Sequence, residues 1–175
     1  TKPINVYSLI KEFNEKLSKI YFDLYGLKSV GLRFFTVYGK WGRPDMFLFK
    51  LFKSSLTKKK FELNNSGNHF RDFTYIEDVN IILDELSKKY NKLQNEIYNI
   101  CGSKSLNIKK VIKSFQKNYP LKFVHKPKHR ADLLKTHGSN KKLFLKIKKR
   151  SFTEIEDILP EIFNWYKNNK IHTIT

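Results

Sequence analysis

The first helix is predicted by apolar side chains that recur every three or four residues. The positions with this spacing are Leu9, Ile10, Phe13, Leu17, Ile20, Tyr21 and Leu24. A period near 3.6 residues places them on one face of an amphipathic helix over residues 5–25. Gly26 is expected to end this helix, because glycine readily takes the left-handed conformation that closes a helix C-terminus.

The remaining pattern alternates strands with helices. Short apolar runs between polar or glycine-containing segments predict strands, and residues 29–35 have the composition of a buried strand. The predicted strands are residues 29–35, 61–63, 70–75, 96–100 and 121–124, and the predicted helices are residues 46–57, 79–89, 108–117, 141–147 and from 153 onward. The glycines and proline of residues 39–44 predict a loop. This order favours an α/β layer architecture, with α+β as the alternative.

Several side chains mark the ends of the later helices. Asn107 is expected to cap the helix that follows it, and Asp78 is expected either to cap or to enter the next helix. Thr153 and Glu156 have the spacing of a capping box for the last helix. That helix is predicted to continue through Ile162 and Trp165 despite Pro160, which should break or kink it because proline lacks the N–H that bonds to the preceding turn.

Composition limits the class of protein. A chain of 175 residues with 40% hydrophobic residues can bury one sizeable core. The single cysteine, Cys101, cannot form an internal disulfide or a thiolate metal site, which favours a reducing, cytoplasmic setting. Apolar runs stay short of the roughly 20 residues that a membrane span needs, so no membrane partner is expected.

The histidines do not predict a metal site. His125 and His129 are four residues apart, but Pro127 disrupts the helix that would bring both imidazoles onto one face. Even with His137 added, the sequence offers no carboxylate or thiolate at a spacing that would complete a set of metal ligands. We therefore expect a protein without a bound metal.

The formal charge of +19 raises the question of nucleic acid, whose phosphates attract lysine and arginine. The basic residues are spread along the chain, with local concentrations at residues 58–60 and 141–150, and most are lysine. Lysine lacks the bidentate fork with which arginine reads base edges. A specific nucleic-acid partner is therefore not predicted, although a non-catalytic basic binding module stays open as an alternative function.

Tyr7 and Lys11 are the first candidates for catalysis. They are four residues apart on the predicted helix, so the ammonium can lie beside the phenol. A free phenol is a poor base at neutral pH, and an adjacent cation stabilises the phenolate that a general base requires. The spacing alone is weak evidence, because a half-buried tyrosine beside a solvated lysine has the same pattern.

Longer motifs supply the context for this pair. The stretches that carry the resemblance are residues 7–11 (YSLIK), 24–27 (LYGL), 31–39 (GLRFFTVYG), 41–46 (WGRPDM) and 71–79 (RDFTYIEDV). In this order and at this spacing, the chain resembles the extended short-chain dehydrogenase/reductase family, and most of all its UDP-glucuronate 4-epimerases. The resemblance implies the C-terminal part of a Rossmann-type enzyme with a smaller α/β substrate-binding domain. It weakens after about residue 125.

The resemblance implies NAD-dependent inversion at C4 of a UDP-sugar, with UDP-glucuronate as the expected substrate. Tyr7 corresponds to the catalytic base, and Lys11 to the residue that binds the nicotinamide ribose and supports that base. Phe35 corresponds to a residue beside the nicotinamide. By its position alone, Phe35 could instead be part of a strand core.

Four further residues are implied to bind the substrate. Thr36 corresponds to a contact of the sugar carboxylate, Arg43 to a substrate-side arginine, and Arg71 and Arg130 to contacts of the diphosphate. Guanidinium suits such contacts because its fork donates two parallel bonds to an oxyanion. As alternatives, Arg43 could cap loop carbonyls, and Arg71 could form a surface pair with Asp72.

The glycine-rich strand-turn-helix that holds the NAD pyrophosphate in this family is expected upstream, since G-x-x-G-x-x-G does not occur in the sequence. We expect residues 1–40 to supply the last helix and strand of the Rossmann portion, and residues 41–175 the substrate-binding portion. The chain alone should bind NAD poorly and be inactive. A dehydratase or decarboxylase of the same superfamily stays open, and a homodimer is plausible by analogy.

Overall fold

The computed structural model describes residue 3, residues 5–128 and residues 132–173. The five longer helices are α1 (Val6–Tyr25), α2 (Phe47–Leu56), α3 (Ile76–Lys88), α4 (Ile108–Gln116) and α5 (Ile155–Asn168). The strands are β1 (Val30–Phe34), β2 (Thr36–Tyr38), β3 (Lys60–Asn64), β4 (Phe70–Tyr75), β5 (Glu96–Ile100), β6 (Ser105–Asn107) and β7 (Lys122–Lys126). Helices and strands alternate along most of the chain, which confirms the predicted α/β class. His129 and Arg130 lie outside the described residues.

Strand pairing is mostly parallel. β1 pairs with β5, β2 with β4, and β3 with β7, all in parallel register, while β6 adds to β4 in the antiparallel direction. Parallel pairs need crossover connections, and α2 and α3 lie within such connections. The candidate site lies where the chain passes from β1 to β2 and exchanges β5 for β4 as its neighbour.

Two apolar clusters form the core. The larger joins α2, α4 and α5 to β3 and β4, and includes the fully buried side chains Leu51, Phe52, Val111, Phe115 and Ile162. The smaller lies between α3 and β5 and includes Ile82, Tyr98, Ile100 and Leu143. Each fully buried large side chain contributes about 1.5–3 kcal/mol relative to exposure, so these clusters fix the framework.

The predicted bounds of one strand and one helix, and the predicted burial of that strand, need correction. The predicted strand at residues 29–35 ends at Phe34, and it is half-buried to exposed instead of buried. Among the described residues its pairing partner is β5, which leaves its other edge open. The predicted helix at residues 141–147 is a single 3₁₀ turn over Leu143–Leu145.

Of the two alternatives for Asp78, the structure shows entry into the helix, and the expected capping box of the last helix is wrong. Asp78 lies inside the first turn of α3, which begins at Ile76, and its carboxylate accepts hydrogen bonds from Thr153 N (2.8 Å) and Thr153 Oγ1 (3.3 Å). Because Thr153 is used there, the capping box with Glu156 does not form. Asp78 therefore ties α3 to the chain entering α5.

α5 continues through Pro160 to Asn168, as predicted for this helix. A proline this close to the helix start removes one bond to the preceding turn. The apolar face of α5, which buries Ile155, Leu159 and Phe163, outweighs that loss. In the described part of the chain, no helix is both long and apolar enough to cross a lipid bilayer.

Candidate active site

Tyr7 and Lys11 lie on the first two turns of α1. Asn5 starts the helix with a capping box, in which its side chain accepts from Ser8 N at 2.9 Å and Ser8 Oγ accepts from Asn5 N at 3.2 Å. Tyr7 is 70% exposed, and the Lys11 Nζ atom lies 5.5 Å from the centre of its ring. The structure therefore places an ammonium beside an accessible phenol.

The polar face of α1 attaches this pair to the rest of the molecule. Arg33 donates to both carboxylate oxygens of Glu15, at 2.6 Å each, and this hydrogen bonding lowers the pKa of Glu15. Ser18, Ser29 and Asn95 form a second set of hydrogen bonds between α1 and the starts of β1 and β5. These two sets of hydrogen bonds hold α1 against the rest of the molecule and thereby orient Tyr7.

Tyr7, Phe35, Thr36 and Arg43 line one cavity of about 500 Å³. This volume lies within the usual range for a small-molecule site. Four predicted site residues, from three separate segments of the chain, therefore share a single space. The phenol of Tyr7 is not buried in packing, and it faces the segment that carries Thr36 and Arg43.

Phe35 and Thr36 reach the cavity because the chain changes strand partner between them. Phe35 N donates to Ile100 O at 3.2 Å, which ends the β1–β5 pairing, and Thr36 begins β2 opposite Phe73. Ends of parallel strands at such a switch are where α/β sheets carry ligand sites. The ring of Phe35 packs closely against Gly138, because a Cβ at position 138 would lie 2.6 Å from the ring.

Arg43 is exposed and holds a carboxylate of this chain. Its Nε and Nη2 atoms donate to the two oxygens of Asp45, at 2.9 and 2.6 Å. The Asp45 carboxylate raises the pKa of Arg43, and Tyr7 contributes in the same direction. The alternative in which Arg43 caps loop carbonyls is therefore not what the structure shows. The fork is oriented to bind a carboxylate in two parallel bonds.

Arg71 lines a second cavity, of about 560 Å³, which also includes Thr36, Lys50 and His69. Its Nη1 atom donates to Phe70 O at 2.9 Å, and burial lowers the pKa of Arg71. The alternative of a surface pair with Asp72 is wrong, because Asp72 is fully buried and accepts from Gly138 N at 3.0 Å. Thr36 lines both cavities and marks where they adjoin.

His69 is a candidate that the sequence did not suggest. It is buried beside Arg71 in the second cavity, and its Nε2 atom lacks a hydrogen-bond partner within the described residues. Burial lowers the pKa of His69. The available signal was its position two residues before Arg71, immediately before β4, since alternate residues of an extended chain face the same side.

The exposed pair of Tyr7 and Lys11 fits the nicotinamide riboside end of NAD. The phenol and ammonium are accessible together, and Phe35 lies at the same cavity. A ribose offers hydroxyls to the ammonium, and an aromatic edge suits the nicotinamide ring. Arg130, the remaining predicted substrate contact, lies outside the described residues.

Comparison with known families decides the affiliation. The model of the NAD dependent epimerase/dehydratase family matches residues 1–101, which is more than half of the chain and includes Tyr7, Lys11, Phe35 and Arg71. The chain belongs to this family. The predicted family membership is confirmed. NAD, the expected cofactor, is the cofactor of this family.

Family members of known sequence and structure extend the match. The uncharacterized protein MJ1055 of Methanocaldococcus jannaschii is 39% identical over 172 residues, which is 97% of this chain and 52% of that protein. UDP-glucuronate 4-epimerase 1 of Arabidopsis thaliana is 30% identical over 183 residues, covering 94% of this chain and 42% of the relative. This chain thus spans about half the length of the relatives it matches.

A solved family member shares the fold. The UDP-glucuronic acid 4-epimerase of Bacillus cereus, crystallised with UDP-glucuronic acid and NAD, superposes with a TM-score of 0.89 at 25% identity. The alignment covers 96% of this chain and 54% of that enzyme. The predicted extended short-chain dehydrogenase/reductase fold is therefore confirmed.

Proposed function

We propose that this chain forms the substrate-binding part of an NAD-dependent nucleotide-sugar 4-epimerase, with UDP-glucuronate as substrate. The observation that carries the proposal is the cavity in which Tyr7, beside the Lys11 ammonium, faces Thr36 and Arg43. The proposed proton acceptor and a carboxylate-binding fork line this cavity, and the Lys11 ammonium lies beside the Tyr7 ring. The named epimerases of Arabidopsis thaliana and Bacillus cereus support the choice of substrate.

Tyr7 is the proposed acid and base of the reaction. As phenolate it removes the proton of the sugar O4 hydroxyl, and it returns that proton when the C4 configuration has been inverted. Lys11, whose ammonium lies 5.5 Å from the centre of the Tyr7 ring, would donate to the ribose of the cofactor. NAD, when bound, supplies the acceptor for the C4 hydride and gives the hydride back, so the net reaction is redox-neutral.

Two cavities that adjoin at Thr36 suit the two ends of a UDP-sugar. We assign the sugar to the Tyr7 cavity, where Arg43 and Thr36 would bind its carboxylate. We assign the diphosphate to the Arg71 cavity, where Lys50 adds a second cation. Arg43 would exchange the Asp45 carboxylate for that of the substrate, with the same bidentate geometry.

The division of the chain, its setting and its assembly are proposed on the same basis. Residues 1–40 would complete the Rossmann portion and residues 41–175 would bind the substrate. The buried thiol of Cys101 is compatible with a cytoplasmic setting. A homodimer would pair α1 with α1 of a second copy.

A chimera tests the reaction. The part of the Bacillus cereus enzyme that this chain does not cover is joined upstream of the chain and given UDP-glucuronate carrying deuterium at C4. We expect UDP-galacturonate with the deuterium kept at C4, because the hydride leaves and returns within one active site. Carbon dioxide release would indicate a decarboxylase, and loss of water from the sugar would indicate a dehydratase. Either result would contradict the epimerase assignment.

A further inference from the structure

Gly42 is fixed to the last helix by a buried hydroxyl. Gly42 N donates to the hydroxyl of Tyr166 at 2.9 Å, and Tyr166 is 2% exposed. The Tyr166 ring packs against Phe49 and Phe52, with ring centres 5.6 and 5.2 Å apart. A Cβ at Gly42 would lie 2.8 Å from the hydroxyl, so the approach requires glycine. The acceptor is thus held by the core and not by the loop.

The two preceding residues contact the same face of α5. Lys40 Nζ lies 2.9 Å from Glu161 Oε1. The ring of Trp41 meets the ring of Trp165 edge to face, with centres 5.0 Å apart and planes at 70°. Positions 161 and 165 are one helical turn apart and therefore share a face. We call residues 40–42 the docking segment.

The backbone of Trp41 has a conformation that contacts with neighbouring residues must impose. Its φ is +61°, in the left-handed region that is unfavourable for a side chain with a Cβ, and 72% of its surface is exposed. Such a conformation persists only where the surroundings impose it, and it occurs disproportionately at functional sites. The contacts of the docking segment with α5 supply that constraint.

We propose that Tyr166 and Trp165 are positioning residues, which hold the docking segment and thereby set Arg43 at the Tyr7 cavity. Arg43 follows Gly42 directly, and Tyr166 lines the same cavity as Tyr7 and Arg43. The inference rests on the proposed function, because it concerns the binding of a substrate carboxylate. It assigns α5 a part in substrate affinity that acts on Arg43 through the docking segment.

The chain contains two tryptophans, and they are the contacting pair. Closely spaced indoles give a coupled band in far-ultraviolet circular dichroism, so this band reports the contact of the docking segment with α5. Trp165→Phe removes one indole and shows how the spectrum looks when the band is lost. Tyr166→Phe should weaken the band and raise the Kd for UDP-glucuronate about fivefold, the effect of one neutral hydrogen bond. Tyr98→Phe, in the smaller core cluster, removes a buried hydroxyl elsewhere and should change neither.

Gly42→Ala disturbs the hydrogen bond between Gly42 and Tyr166 from the loop side and leaves the core side chains unchanged. It replaces Tyr166→Phe in this test if Tyr166→Phe lowers the unfolding temperature of the protein. An undiminished band, or a weakened band with unchanged Kd, would overturn the positioning role. Failure of the unaltered chain to bind UDP-glucuronate would instead overturn the proposed function, and with it any role of α5 in binding.

Discussion

Two glycines are required for different physical reasons. Gly26 closes α1 with a φ of +64°, and a Cβ there would meet open space. Gly102 follows the end of β5, where a Cβ would lie 2.2 Å from the backbone oxygen of Phe73. The first position demands a backbone conformation, and the second demands the absence of a side chain.

The two alanine variants should therefore differ in stability. Gly102→Ala should lower the free energy of unfolding by about 3 kcal/mol, because a strand backbone must shift. Gly26→Ala should lower it by about 1 kcal/mol, the cost of a left-handed alanine. Urea denaturation of both variants measures the difference. Equal losses, or a larger loss for Gly26→Ala, would contradict this account of the close approach of Gly102 to Phe73 of β4.

Single residues were predictable where their partners are near in sequence. Gly26 ends α1, and Asn107 caps α4 by accepting from Lys109 N at 2.8 Å, both as predicted. The role of Asp78 stayed open between a cap and the first turn because its partner, Thr153, is 75 residues away. His69 was missed for the same reason, since its burial depends on distant segments.

Among the elements, α1 has an unusual orientation. Its polar face, with Glu15 and Ser18, contacts the body of the molecule, and its apolar stripe is exposed. The exposed members of the stripe are Val6, Leu9, Ile10, Phe13, Leu17, Ile20, Tyr21 and Leu24. The sequence predicted the helix and its amphipathic pattern, but that pattern cannot say which face is covered.

We expect this stripe to pair with the same stripe of a second copy, as a two-fold dimer requires of a self-complementary surface. Phe13→Glu places a charge in its middle and should shift the protein from dimer to monomer in sedimentation equilibrium. Lys16→Glu, on an exposed flank of α1, is the matched control and should leave the mass unchanged. A monomeric unaltered chain, or a Phe13→Glu dimer, would contradict the proposed pairing.

The strands show a further limit of local patterns. The apolar run of residues 29–38 looks continuous, yet the chain exchanges β5 for β4 between Phe34 and Thr36. β6 is only three residues long, and its pairing with β4 gives it its identity as a strand. Both features depend on contacts between distant segments, and the first of them creates the candidate site.

At the scale of the whole molecule, the site joins distant segments. Tyr7, Thr36 and Arg43 were predicted from motif order, and the structure brings them to one cavity. Tyr166 joins them through the packing of α5, which the motifs do not encode. The charge of +19 suits an anionic ligand, although binding such a ligand needs only a few placed cations.

The central claim is that the phenolate oxygen of Tyr7 is the proton acceptor, and removing that oxygen in the chimera tests the claim most directly. Tyr7→Phe should lower kcat by about 100-fold or more, the usual contribution of a general base, while the Kd for UDP-glucuronate stays the same. Tyr25→Phe, equally exposed at the other end of α1, is the control and should retain full activity. Undiminished turnover by Tyr7→Phe would contradict the account.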